Sequence, residues 1–195
     1  MMDYQEILVI LAKELRPARF RHSREVSRTA VRLAERWGVD IEKARLAGIL
    51  HDCARNLKGK DLLQCAAANG LSISEIEMLQ PALIHAPLGA LLAERRFGVA
   101  DPEILQAIRR HTTGAAQMSP LDKIIYLADC IEPGRHYPGV DELRELAQQD
   151  LNAAVLLAYD HSISFVLAGG GLLHPNTVEG RNSLLLEMKA NRNGK

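Results

Sequence analysis

The chain has 195 residues, and its 24 Lys and Arg are balanced by 24 Asp and Glu, so the formal net charge is zero. This balance gives no overall attraction to nucleic acids or to membrane surfaces. A chain of this length can bury about 70% of its unfolded surface in one core. We therefore expect a single domain over residues 1–195.

Apolar residues recur with a period of about 3.6 along most of the chain, and the alternation typical of strands is absent. This pattern predicts an all-α protein. Asp101-Pro102 and Ser119-Pro120 each combine an N-cap acceptor with a proline at the first helical position, and Gly38 suits a helix end. The predicted helices cover residues 3–15, 18–37, 41–54, 59–69, 73–79, 87–97, 102–111, 120–131, 141–148, 150–168 and a shorter segment at 176–189.

Basic residues are concentrated near the N-terminus, although the whole chain is neutral. An anionic ligand would be favoured beside this segment, and a solvated helix face is the alternative interpretation. The basic residues are Arg16, Arg19, Arg21, Arg24 and Arg28, with Glu25 as the only acid among them.

Histidines and aspartates fall at the inner ends of several predicted helices. His22 begins a stripe of residues spaced three or four apart, so it faces the core. Ala44 and Gly48 are small enough for another helix to approach closely, and the same predicted helix ends at His51-Asp52. The remaining members of the pattern are His85, His111 and Asp129.

Taken singly, each of these residues could be a hydrogen-bonded core residue or a helix cap. Together, two carboxylates and four imidazoles in one interior would cost several kcal/mol for each ionised group unless they were compensated. The cluster therefore predicts a metal site. Imidazole and carboxylate without thiolate suit iron, manganese, cobalt or zinc. Cys53 and Cys130, which follow the two aspartates, are interpreted as small core residues.

The ordered set His22, His51-Asp52, His85, His111 and Asp129 resembles the HD-domain metal-dependent phosphohydrolases. Four further segments are similar to one subfamily, the YqeK-type symmetrical bis(5'-nucleosyl)-tetraphosphatases. They are HTTG at 111–114, DKIIYLADCIEPGR at 122–135, YPGVDELRELA at 137–147 and HPNTVEGRN at 174–182. The resemblance covers residues 18 to 188. It implies an HD-domain helical bundle with its metal-site core at 18–132 and a C-terminal helical part at 133–190.

The resemblance also implies an activity, which is the cleavage of diadenosine tetraphosphate into two ADP by a metal-activated hydroxide. It implies two transition-metal ions, commonly iron, with manganese, cobalt and zinc as alternatives. Carried over residue by residue, one ion would be held by His22, His51, Asp52 and Asp129. The other would be held by Asp52, His85 and His111, so that Asp52 bridges the two ions.

Substrate contacts are expected from basic and hydroxyl side chains near these ligands. Arg55 stands where many relatives carry Lys, which keeps the charge but exchanges an ammonium for a guanidinium. We expect Asp52 and Arg55 to be catalytic. The candidates for binding the polyphosphate are Arg24, Arg55, Thr112, Thr113 and Arg135, each of which could instead be a surface charge or a helix-end cap.

Several other polar and aromatic residues remain outside the predicted metal site. His161 is interpreted as a packed or surface residue, while His136 and His174 fall in loops where either could touch the nucleotide. Few aromatic residues are available to stack on a base. The candidates for stacking are Tyr126, Tyr137 and Phe97.

Two alternative function classes stay open at this point. One is an HD phosphohydrolase that acts on mononucleotides or guanosine alarmones, and the other is a non-catalytic, metal-stabilised nucleotide-binding protein. The expected partner is a small-molecule nucleotide, not a nucleic acid or a membrane. A homodimer is compatible with the sequence but does not follow from it.

The compartment is inferred from the cysteines and the N-terminus. The three cysteines form no CxxC pair, which argues against a disulfide framework. The N-terminal apolar stretch is too short to span a bilayer and has no basic segment before it. We expect a soluble, cytoplasmic protein.

Overall fold

The protein is all-α, as predicted. The computed structural model describes residues 2–193, and no strand occurs within them. Met1 and residues 194–195 of the predicted single domain lie outside the described residues. The helices are α1 (Tyr4–Glu14), α2 (Pro17–Trp37), α3 (Ile41–Leu50), α4 (Gly59–Ala68), α5 (Glu75–Leu79), α6 (His85–Phe97), α7 (Pro102–Arg110), α8 (Pro120–Ile131), α9 (Val140–Gln149), α10 (Leu151–Ala168) and α11 (Pro175–Asn193), with a 3-10 helix at Pro81–Ile84.

Helix ends follow the local signals in the sequence. The Asp101 side chain accepts from the backbone N–H of Glu103, and Ser119 and Asp122 cap the start of α8 reciprocally. Such caps satisfy N–H groups that have no partner inside the helix. Gly38 ends α2 in the left-handed conformation that favours glycine.

Four predicted helices differ from the structure by two or more residues at one end, and one of them is α5, which begins at Glu75 rather than at residue 73. Helix α3 ends at Leu50 rather than at residue 54, so His51 and Asp52 lie in the turns that follow it. Helix α6 begins at His85, two residues before Pro87, because a proline in the first turn has no intrahelical N–H bond to lose. The last helix runs over Pro175–Asn193 and is longer than the predicted 176–189.

The core forms where α2, α3, α7 and α8 pack together. Helices α2 and α3 approach closely at Gly48, where an added Cβ would lie 2.7 Å from the Cα of Ser27. The predicted close approach at this glycine is therefore confirmed. The contact holds the C-terminal end of α3, and with it His51, against α2.

Helix α10 is long and apolar enough to cross a membrane by length and composition alone. Its Val155 and Tyr159 are buried, and the helix packs against α8, α9 and α11. The ring of Tyr159 lies 4.8 Å from that of Tyr126 in α8. The first half of the helix therefore packs in the core, while Phe165 and Leu167 near its end are exposed. Its composition is weak evidence for a membrane span.

Candidate metal centre

The six predicted ligands come from five helices and meet at one end of the core. His22 projects from the second turn of α2, and Asp129 lies in the last turn of α8. His51 and Asp52 follow α3, His85 is the first residue of α6, and His111 directly follows α7. Helix ends bring these side chains together because the helices converge there. The structure thus assembles all six residues that the sequence pattern singled out.

Asp52 is the centre of the cluster, and its side chain is only 3% exposed. Its Oδ1 lies 3.2 Å from Nε2 of His85 and 3.8 Å from Nε2 of His111. Its Oδ2 lies 3.4 Å from Nε2 of His51 and 3.7 Å from Nε2 of His22. One carboxylate therefore faces two different pairs of imidazoles with its two oxygens.

Three of the histidines are oriented by their own local backbone. Nδ1 of His51 lies 2.7 Å from the carbonyl oxygen of Gly48, and Nδ1 of His111 lies 2.7 Å from that of Ile108. His85 contacts the carbonyl oxygen of Ala82 in the same way. Because a carbonyl can only accept, each Nδ1 donates, and in the neutral ring Nε2 keeps its lone pair.

His22 is oriented by a side chain instead. Its Nδ1 lies 3.1 Å from Oε1 of the buried Glu132, and its Nε2 lies 3.0 Å from Oδ1 of Asp129. A carboxylate behind a ligating imidazole fixes the tautomer and raises the basicity of the other nitrogen. Glu132 thus presents Nε2 of His22 to the cluster.

These orientations fit a bound cation. The Nε2 atoms of His85 and His111 are 3.0 Å apart, and those of His22 and His51 are 3.3 Å apart. Neutral imidazole nitrogens and carboxylate oxygens repel one another when they converge without a positive charge between them. Donor atoms that could hold an ion form two groups, one of His22, His51 and Asp129 and one of His51, Asp52 and His111. The chain has a divalent-metal site of imidazole and carboxylate.

The pKa shifts within the cluster agree with this fit. Burial, together with the neighbouring His51 and His85, lowers the pKa of His111 to about 3, so this ring is neutral at physiological pH. Burial also opposes a charge on His51, but Asp52 outweighs it and raises the pKa of His51. Burial would raise the pKa of Asp52, yet the adjacent imidazoles hold it well below its usual value. The Asp52 carboxylate thus favours positive charge at the place where the donors would hold an ion.

The two cysteines beside the aspartates are not ligands in this arrangement. Burial raises the pKa of both Cys53 and Cys130 to about 12, with the adjacent aspartate charges as the next cause. A thiol with such a pKa stays protonated, and the thiolate is the form that binds metals. Cys53 points its sulfur at the carbonyl oxygen of Gly89, 3.4 Å away.

The structure brings some of the predicted substrate contacts to the cluster but not all of them. Thr112 places its hydroxyl 3.0 Å from Nε2 of His111, and Arg135 contacts both the carboxylate and the carbonyl oxygen of Asp129. Arg55 lies 3.0 Å from Nδ1 of His85 and donates to the carbonyl of Ala82. Thr113 instead donates to the carbonyl of Gly114.

Arg24 lies at the edge of the site rather than in it. It lines a cleft that also contains His22 and Arg135, and its guanidinium lies over the ring of Phe20. It therefore reaches the cleft without contacting a predicted metal ligand.

Two residues were not predicted to contact the ligands: Arg19, which the sequence placed only in the basic N-terminal segment, and Glu132. Arg19 donates from Nη1 to Oδ2 of Asp52 at 2.6 Å, and Glu132 supports His22. Arg19 precedes His22 by three residues and Glu132 follows Asp129 by three, so helical spacing from each ligand was the available signal.

The aromatic candidates for base stacking are mostly wrong. Tyr126 and Phe97 are buried in the core, where no base could reach their faces. Tyr137 is half-buried and donates to the carbonyl of Cys130. Its ring stands edge-on to that of His161, which is a packed residue away from the six ligands, as expected.

Removing the metal should lower the melting temperature. A ligand present at about 100 times its dissociation constant stabilises the folded state by about 2.7 kcal/mol, which is about 5–10 °C for a chain of this size. Differential scanning calorimetry of metal-loaded and chelated protein measures the difference. An unchanged melting temperature would contradict a buried metal site.

Comparisons with known proteins agree with this geometry. Residues 19–134 match the HD domain family. The symmetrical bis(5'-nucleosyl)-tetraphosphatase of Bacillus subtilis is 40% identical over 176 residues, which are 90% of this chain and 94% of that protein. The protein of the same name from Halalkalibacterium halodurans is 39% identical over 188 residues, covering 96% of this chain and all of that protein.

A solved structure also shares the fold. It is a predicted HD superfamily hydrolase involved in NAD metabolism from Clostridium acetobutylicum, 44% identical, with a TM-score of 0.93 over 96% of this chain and 99% of that one. The matched segment 19–134 contains all six residues of the cluster. The chain therefore belongs to the HD-domain hydrolases and, within them, to the family of the symmetrical bis(5'-nucleosyl)-tetraphosphatases.

Proposed function

We propose that the protein hydrolyses diadenosine tetraphosphate and related dinucleoside tetraphosphates at the central bridge, giving two nucleoside diphosphates. The observation that carries this proposal is the Asp52 carboxylate, whose two oxygens face two pairs of imidazole nitrogens. The names of the two relatives with 39% and 40% identity support the substrate class.

The geometry supports two transition-metal ions. His22, His51, Asp52 and Asp129 would hold one, while Asp52, His85 and His111 would hold the other. Iron is the metal we propose, and manganese, cobalt and zinc suit the same donors. A two-metal site of this kind supplies a nucleophile from water at neutral pH and a clamp on the attacked phosphoryl group.

The protein groups around the ligands bind and orient the substrate. Water attacks an inner phosphorus, the bond from that phosphorus to the central bridging oxygen breaks, and the leaving nucleoside diphosphate takes this oxygen. Arg55 neutralises charge on the phosphates, and Asp52 orients the attacking water. Arg24, Thr112, Thr113 and Arg135 bind the rest of the polyphosphate; Thr113 must turn away from Gly114 to do so.

The whole chain works as one domain in this proposal, with the ligand core at 18–132 and the C-terminal helices packed on it. The cytoplasm is the proposed compartment, because Cys53, Cys65 and Cys130 are all free thiols. The partner is a small-molecule dinucleoside polyphosphate.

A nucleotide panel tests the proposal. Iron-loaded protein should convert diadenosine tetraphosphate into two ADP, while mononucleotides, guanosine alarmones and NAD remain unchanged under the same conditions. Hydrolysis in oxygen-18 water should place one label in one of the two ADP molecules formed in each event. Anion-exchange chromatography and mass spectrometry identify the products.

The ratio of products separates the alternatives. AMP and ATP in equal initial amounts would show an asymmetric cut and refute the proposed function. Turnover of a mononucleotide or an alarmone in preference to the tetraphosphate would favour the other HD phosphohydrolase activity. Binding of nucleotide without any hydrolysis would favour a non-catalytic protein.

A further inference from the structure

Two clefts open beside the metal centre, and Arg19 lines both. The first, which we call the His22 cleft, has a volume of about 520 Å³ and is lined by His22, Arg19, Arg21, Arg24 and Arg135 among others. The second, the Lys58 cleft, has a volume of about 380 Å³ and is lined by Lys58, Arg16, Arg19, Arg55 and Pro81 among others. Both volumes lie in the range of about 300–1,000 Å³ typical of small-molecule sites.

The junction of the two clefts is a place suited to phosphate. Arg16 lines the Lys58 cleft and is the N-cap residue of α2, and its side chain makes no capping hydrogen bond. Ala18 lines the His22 cleft and belongs to the first turn of the same helix. The N-terminal end of this 21-residue helix therefore lies between the clefts. The N–H groups of this first turn, to which Pro17 contributes none, and the positive end of the helix dipole favour an anion.

Arg19 connects this junction to the reacting centre. Its Nη1 donates to Oδ2 of Asp52 at 2.6 Å, and its side chain is 31% exposed. A guanidinium has five N–H donors in a rigid fork. Arg19 can therefore keep its contact with Asp52 and still donate to a phosphate that enters from either cleft.

Both clefts carry a net positive charge. No carboxylate lines the Lys58 cleft, and the backbone N–H groups at the start of α4, beside Lys58, also lack a side-chain cap. The His22 cleft contains two carboxylates, but Glu25 is paired with Arg28 and Glu132 with His22.

We propose that the two clefts bind the two nucleoside diphosphate halves of one substrate molecule, with Arg19 on the inner phosphates between them. This inference rests on the proposed function, because only a central cut leaves a nucleoside diphosphate on each side. Each product then occupies its own cleft after the bond has broken. Arg19 touches the phosphates at the point of cleavage and is a catalytic residue in this arrangement.

Counting ADP molecules tests the arrangement. Isothermal titration of metal-loaded protein with ADP should give two molecules bound per chain. Lys58→Glu alters an exposed residue of the Lys58 cleft, and Arg24→Glu alters one of the His22 cleft. Each variant should bind one ADP molecule per chain. Lys189→Glu reverses an exposed charge on α11, outside both clefts, and should leave two. Melting temperatures establish that each variant is folded.

A substrate analogue with a methylene group at the central bridge tests the junction, because it binds without being cut there. Losing one charge-assisted contact should weaken its binding by about tenfold or more in Lys58→Glu and in Arg24→Glu. Arg19→Ala should weaken the analogue and both ADP molecules together. Arg19→Lys should restore part of the affinity because it returns the charge.

The results distinguish a failure of the two-cleft arrangement from a failure of the proposed function. If the parent protein makes two ADP but binds a single ADP per chain, the two-cleft arrangement is wrong while the proposed function stands. The same holds if Lys58→Glu and Lys189→Glu bind the analogue equally well. If diadenosine tetraphosphate gives no ADP at all, the proposed function itself fails.

Discussion

Asp52→Asn should remove both metal ions and abolish hydrolysis, whereas Asp129→Asn should keep one ion. Asp52 presents one oxygen to His85 and His111 and the other to His22 and His51, so both proposed ions depend on its charge. Removing one charge from a buried, hydrogen-bonded set costs about 3–5 kcal/mol, which corresponds to about 10²–10⁴ in affinity. Asp129 contacts only one of these imidazoles, His22.

Elemental analysis after anaerobic loading gives the metal content of each variant, and product formation gives its activity. Asp141→Asn is the matched control, because it makes the same chemical change in an exposed side chain that pairs with Arg144, away from the cluster. It should keep the metal and the activity of the parent. Two ions retained by Asp52→Asn would contradict its bridging role, and none bound by the parent protein would overturn the metal centre.

Arg55→Ala should lower kcat by about 10²–10³, the usual cost of removing one group that stabilises charge in a transition state. Arg55 borders the Lys58 cleft, in which one half of the substrate is proposed to bind, and lies 3.0 Å from Nδ1 of His85. Arg55→Lys should recover much of the rate, since it restores the positive charge although it lacks the planar guanidinium group. Steady-state kinetics with diadenosine tetraphosphate measure both variants.

The metal content of Arg55→Ala separates a direct role from a structural one. Arg55 also donates to the carbonyl of Ala82, which orients His85, so its loss could disturb that ligand. Unchanged metal content with a reduced kcat supports contact with the substrate. Arg95→Ala, which removes an exposed arginine on α6 that donates to Asn69, is the matched control. Full activity in Arg55→Ala would remove this residue from the mechanism.

The sequence predicted the helices and the six clustered residues because both follow from local rules. Helical periodicity places His22 on the inner face of α2, and the capping residues mark where α7 and α8 begin. The order of histidines and aspartates along the chain identified the family. These signals need no knowledge of which helix packs against which.

The remaining features depend on contacts between distant segments. Glu132 supports His22 from 110 positions away, and Arg19 reaches Asp52 from 33 positions away. Helical spacing places each residue one turn from a predicted ligand, but it does not show which side chain of the cluster each one contacts. The burial of Tyr126 and Phe97 is likewise a consequence of packing, since an aromatic residue on a helix can serve either a core or a ligand.

The contrast between His22 and the other three histidines has a consequence for how the protein folds. His51, His85 and His111 acquire their ring orientations as soon as their own turn of backbone forms. His22 acquires its orientation only when α2 docks on the end of α8. This contact joins His22 to Glu132, which are 110 positions apart in the sequence. The contact that completes the centre is thus the one between the residues farthest apart in the sequence. In a chain whose synthesis stopped before Glu132, three histidines would have their backbone carbonyl partners, while His22 would lack its carboxylate partner.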